Sequence, residues 1–182
     1  MLKGKSLRNS VMSGTEDAAS KDETYRSRLE GAKGFGEVYE LVKDTVKHSL
    51  GLYRSGMLLF LDDLPLQVGA YHQVGTNNII MNRALLDIVQ ATTESHQFVN
   101  AFVYTVLLHE YLHALRYLRE VEVRPLVYKV SRESFGEEHI ATRLAEAGPW
   151  LLLKDIPLNA VEAPRRVIEI VKDFEKTDRY IV

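Results

Sequence analysis

The segment "SHQFVNAFVYTVLLHEYLHALRYL", Ser95–Leu118, constrains the fold more than any other stretch of the chain. Phe98, Ala101, Phe102, Thr105, Leu108 and Leu112 recur at helical spacing, and Ser95 is placed to cap the start. The segment is apolar on more than one side. A surface helix shows one apolar stripe, whereas a helix apolar all round must be surrounded. The chain therefore has to wrap a central helix. Near the C-terminal end of that helix lie His109, Glu110 and His113.

The flanking sequence supplies the wrapping. "EVYELVKDTVKHSL", Glu37–Leu50, carries Val38, Leu41, Val42, Val46 and Leu50 on one helical face, with Gly34 and Gly36 before it and Gly51 after it. "SGMLLFLDDLP" reads as a short buried strand closed by a turn at Asp62–Pro65. "LQVGAYHQVGTNNIIMN" predicts two strands, Gln67–Val74 and Ile79–Met81, joined through "GTNN". Asn82 can cap the helix "RALLDIVQA". Further helices are predicted from Glu120 to Gly136, with Pro125 read as part of the first turn, then over "EHIATRLAEA" and over "APRRVIEIVKDFEK". The expected class is α+β: a small mixed sheet packed on the central helix, with further helices around it.

Residues 1–27 are rich in Ser, Lys, Asp, Glu and Thr and read as a flexible N-terminal tail, leaving 28–182 as one domain. The net charge of −2 offers no basic excess for nucleic acid or anionic lipid. No apolar run reaches the roughly 18–20 residues of a spanning helix, and the N-terminus has no apolar signal-peptide region. A cytoplasmic protein is expected. Cysteine is absent, so any metal must be held by His, Asp or Glu.

His109 and His113 are four apart, which on a helix makes them neighbours on one face and lets two imidazole nitrogens meet at one point. Zn2+ takes such nitrogens at about 2.0–2.1 Å and, in catalytic sites, keeps one position for water. Glu110 is rotated about 100° round the helix and cannot share the ion comfortably, but it can take a proton from that water. This is the logic of H-E-x-x-H hydrolysis. The pattern alone turns up by chance in about one chain in 200 of this length. The uncharged flanks "TVLL", "YL" and "AL" separate this case from most such matches. Burying two histidines and a glutamate without an ion would require three separate sets of polar partners.

The third ligand is less determined. Glu120 begins the next predicted helix and shares a stripe with Val123, Val127, Val130 and Ser134. His139, in "FGEEHIAT", is the alternative third ligand or transition-state stabiliser, and Glu133, Glu137 and Glu138 are further carboxylates. Arg116 and Arg119 stand where an H-E-x-x-H-x-x-G-x-x-H pattern has its glycine and last histidine, which disfavours that class. Tyr71 and His72 lie on the strand expected beside the site. Tyr128, Arg124 and His139 can each be set against a developing oxyanion. His48, His72 and His96 stand alone in sequence.

"HEYLH" on a long apolar helix, after a short sheet ending in "NNIIMN", resembles the zincin metallopeptidases, and the short chain resembles their minimal archaeal gluzincins. The resemblance covers roughly Arg54–Gly148. It implies a glutamate ligand on a following helix in a pattern like E-x-x-A-D or E-x-x-A-N. "EVEVRPL" is similar, with Glu120 as the ligand, Val123 at the small position and Arg124 in place of Asp or Asn. It also implies a sheet strand that lies antiparallel to bound peptide, and peptidase activity that is often latent, with a terminal segment in the cleft. The N-terminal tail or "DRYIV" would fill that role here. The alternative is a zincin-fold protein without peptidase activity, a peptide-binding module with a structural metal.

Overall fold

The computed structural model describes residues 24–154 and 164–175. Residues 1–23 of the expected tail and the "DRYIV" end lie outside the described residues. Residues 24–27 belong to a helix, α1, whose described part covers 24–31, and not to the tail expected there. Leu29 of that helix is buried in the core.

After α1 the elements run α2 (Phe35–Leu50), β1 (Leu58–Asp62), β2 (Ala70–His72), β3 (Asn78–Asn82), α3 (Arg83–Thr92), α4 (His96–Ala114), α5 (Glu120–Phe135), α6 (Ile140–Ala147), a 3-10 turn (Pro149–Leu153) and β4 (Glu169–Ile170). The class is mixed α+β. The sheet order is β2-β3-β1-β4, with β1 and β3 parallel and both outer strands antiparallel. From β1 the chain passes over to the far edge as β2, then returns as β3 between the two.

α4 is the axle. Asn100 to Leu108 are buried without a break, and α2, α3, α5, α6 and β2 all pack on it. α2 begins at Gly34 and ends at Gly51, whose φ of 68° is the left-handed conformation that stops a helix. β2 is shorter than the predicted Gln67–Val74 because the backbone on its N-terminal side is committed elsewhere. Asn82 Nδ2 faces the carbonyls of Leu64, Pro65 and Val68 at 3.1, 3.1 and 2.8 Å.

Asn82 Oδ1 also accepts from Leu64 N at 3.2 Å and caps α3 through Leu85 N at 3.3 Å. One buried amide therefore joins a loop, a strand and a helix. Asn82→Ala should cost about 2–3 kcal/mol in chemical denaturation, a lost cap plus buried carbonyls without donors. Asn82→Asp keeps the cap oxygen but sets a second oxygen against three carbonyls, and should be equally damaging. An aspartate variant as stable as the parent would refute this account.

The helix predicted over "APRRVIEIVKDFEK" is not formed in its described part. Residues 164–168 are irregular, Glu169–Ile170 is strand β4, and a turn follows with Asp173 at φ 57°. The β-branched run Val167, Ile168, Ile170, Val171 suits an extended chain. Partners on β1 then decide the matter. Phe60 pairs with Ile170, and Val171 N donates to Leu59 O at 2.9 Å. Arg166 is drawn off by Asp63, with Nη2 to Oδ1 at 2.6 Å. Phe174 is buried and stacks on Tyr39, and Glu175 meets the buried Lys43 at 2.9 Å.

Pro125 is the sixth residue of α5, one turn later than predicted. Its missing N–H leaves the carbonyl of Val121, four residues back, without a helical donor. Among the described residues, no helix is long and apolar enough to cross a membrane.

Candidate metal centre

α4 carries His109, Glu110 and His113 to the place where the chain must turn. Arg116 N donates to His113 O at 2.9 Å and Tyr117 N to Leu112 O at 3.2 Å, with Arg116 at φ 76°. This is a Schellman turn with arginine in the position that glycine usually takes. It brings the carbonyl of Tyr117 back to 2.8 Å from His113 Nδ1. A carbonyl can only accept, so Nδ1 carries the hydrogen. In its neutral form His113 then has a bare lone pair on Nε2.

That lone pair points at two other atoms. His109 Nε2 lies 3.1 Å from His113 Nε2, and Glu120 Oε1 lies 3.2 Å from each of them. The three atoms form a nearly equilateral triangle and make up a group that can hold a metal ion. A tetrahedral ion with bonds of about 2.0–2.1 Å separates its ligands by about 3.3 Å, so the triangle fits such an ion closely. Without a metal ion, the Nε2 atoms could meet Glu120 Oε1 only through a proton, at the 3.2 Å separations seen here.

The electrostatics agree with a ligand set. Burial, acting against the pull of Glu120, holds the His109 imidazole below its ordinary pKa, which favours the neutral form that can coordinate. Glu120 is exposed. Desolvation opposes its ionisation, but His109, Arg124 and His113 outweigh it and lower its pKa. Arg124 Nε donates to Glu120 Oε2 at 3.3 Å, leaving Oε1 for the triangle.

Glu110 is 6% exposed and lies outside the triangle. Burial pushes its pKa up to about 7, while the nearby His113 and a hydrogen bond from the backbone N–H of His72 work the other way. The register explains that bond. Tyr71 pairs with Ile80, so its N–H and C=O face β3, and those of Ala70 and His72 face the opposite side, toward α4. The edge strand β2 thus touches the buried carboxylate through its backbone. The His72 ring is held separately, by Nδ1 at 3.0 Å from Asn78 O.

His139 is not in this group. Glu120 begins α5 and His139 lies beyond its other end, so the helix of 16 residues, about 24 Å long, separates them. His139 instead caps α6, accepting from Ala141 N at 3.1 Å, and stacks on Phe135. Glu133 is paired with Lys129 at 2.8 Å, and Glu137 accepts from Tyr128 at 3.2 Å. Among the described residues the group comprises His109, His113 and Glu120 alone.

Burial, and then the charge of Arg26, lower the His139 pKa to about 4, with Glu30 the nearest acid at 3.9 Å. The folded value lies below the unfolded value of about 6.5. Its contribution is therefore complete above about pH 6.5 and lost as the pH falls toward 4, roughly 3 kcal/mol in all. Urea titrations of metal-free protein at pH 7 and pH 4.5 should show His139→Asn losing less stability than the parent over that interval. Equal losses would refute the assignment.

Arg54 was not foreseen from sequence. Its Nη2 reaches Thr76 O at 2.9 Å, its Nη1 reaches Ala114 O, and its backbone N–H meets Tyr111 Oη at 2.6 Å. It ties the β2–β3 turn to the carbonyl end of α4, where a cation also favours the helix dipole. A lone arginine in a loop carries no periodic signal.

Compared with protein-family models, curated proteins and solved structures, the chain has no significant match in any of the three.

Proposed function

We propose that this chain is a zinc-dependent metallopeptidase, with zinc on His109, His113 and Glu120 and Glu110 as general base and acid. The observation that carries the reading is the triangle of two imidazole nitrogens and one carboxylate oxygen at 3.1–3.2 Å, with a buried carboxylate beside it. Three protein ligands would leave a tetrahedral ion one position for water, as catalytic sites do. When bound, zinc polarises the substrate carbonyl and acidifies a water.

The chain's own residues do the rest. Glu110 accepts a proton from the attacking water and returns it to the leaving amine, and its burial beside the triangle keeps that proton from bulk water between the two transfers. The His72 N–H holds that carboxylate in place. The outward N–H and C=O of Ala70 can pair with an extended peptide, as a sheet edge does. A zincin-like packing of sheet on helix, with Glu120 in the role of the gluzincin glutamate, belongs to the same proposal. So does a cytoplasmic setting, which rests on composition alone.

The test is zinc-loaded full-length protein on a denatured protein and a peptide library, with cleavage read by mass spectrometry beside Glu110→Ala. Cleavage by the parent and none by the variant supports the reading. Equal turnover in both refutes it, and tight peptide binding without turnover replaces it with a peptide-binding module.

A further inference from the structure

Arg124 stands one carboxylate away from the two histidine nitrogens. Its Nε holds Glu120 Oε2 at 3.3 Å, and Oε1 of the same carboxylate faces His109 and His113. A guanidinium has five N–H donors in a planar fork. Among the described residues only Nε of Arg124 has a partner, and the side chain is 77% exposed. The two terminal nitrogens are therefore open to a ligand at the edge of the centre.

The surroundings reinforce the charge. Arg116 and Arg119 lie on the connection between the two ligand-bearing helices, and neither side chain has a partner among the described residues. Over residues 116–124 these three arginines outnumber the two glutamates, Glu120 and Glu122, so a bound divalent ion adds to a stretch that is already net positive. A coordinated Glu120 also shares its charge with the ion, which leaves Arg124 short of a neutralising partner. A planar fork beside an excess of positive charge is built for a carboxylate.

We propose that Arg124 binds a carboxylate of the substrate, so that the site favours peptides with a carboxylate close to the bond that is cut. The inference rests on the metallopeptidase reading. The carboxylate is either the C-terminus of the peptide or an Asp or Glu side chain, and the two have the same chemistry.

The test uses zinc-loaded full-length Glu110→Gln protein, which prevents turnover, and one fluorescent peptide in four forms. The forms combine a free or amidated C-terminus with a central Glu or Gln. Anisotropy should show at least about 10-fold tighter binding for the forms with the recognised carboxylate, and the form that loses it identifies the source. Adding Arg124→Gln should abolish the preference in protein held saturated with zinc, since losing the bond to Glu120 should itself weaken zinc binding by about 10–100-fold. Arg124→Lys, a smaller disturbance, should keep part of it. Equal binding of all four forms, or a preference that survives Arg124→Gln, overturns the inference. Cleavage by the parent without any carboxylate preference would sink this inference and keep the peptidase. A preference without cleavage would do the reverse.

Discussion

Zinc-loaded Glu110→Gln should cleave peptides about 10²–10⁴-fold more slowly than the parent, with zinc affinity nearly unchanged. The two effects separate because the side chain is not one of the three triangle atoms. Glutamine keeps the shape and can still accept from the His72 N–H, so the buried site is not left with a hole. It cannot take up the water's proton. The check is kcat from single-turnover cleavage, with zinc affinity from competition with a chelating dye. A rate within a few-fold of the parent would remove Glu110 from its role, even if the protein proves to be a zinc peptidase.

His113→Ala should weaken zinc binding by more than about 100-fold. Loss of a group that merely orients a ligand costs about 10–100-fold in affinity, and His113 is itself a vertex of the triangle. Stability should report the same loss. Zinc at 100 times its Kd adds about 2.7 kcal/mol to the folded state. For a chain of this size that raises Tm by roughly 5–11 °C. In His113→Ala the rise should vanish, and in His139→Ala it should persist, since His139 lies at the far end of α5. An undiminished zinc-dependent rise in His113→Ala would rule out the triangle as the binding site.

What could be read beforehand depended on how local each cause was. α2, α3 and α4 are set by apolar spacing and by Gly34, Gly51 and Asn82 within a few residues of their ends, and the prediction found them. The spacing of His109 and His113 is equally local. Choosing between Glu120 and His139 was not, because it required knowing that α5 starts at one and stops short of the other. Arg54 owes its position to Ala114 and Thr76, 60 and 22 residues away, and nothing near it in sequence announces either contact. The Glu110 bond uses a main-chain N–H of His72, which carries no side-chain signature. The segment around Ile170 failed for the same reason. Its apolar residues fit a helix or a strand, and β1, more than a hundred residues earlier, made the choice.

That last pairing bears on how the chain assembles during synthesis. The contacts that close β4 onto β1 and seat Glu175 join residues 103 to 132 positions apart. Loops of that length close slowly and only after both ends exist. β1, β2 and β3 can pair as soon as residue 82 has left the ribosome, and α4 can dock soon after. The outer side of β1 must wait for residue 170. Throughout that interval it is a bare strand edge, the kind of template that recruits neighbouring nascent chains. Asp62 and Asp63, at the end of that edge, give it negative charge before Arg166 arrives, which discourages pairing between copies. In the finished fold the same aspartate, Asp63, holds the late strand in place.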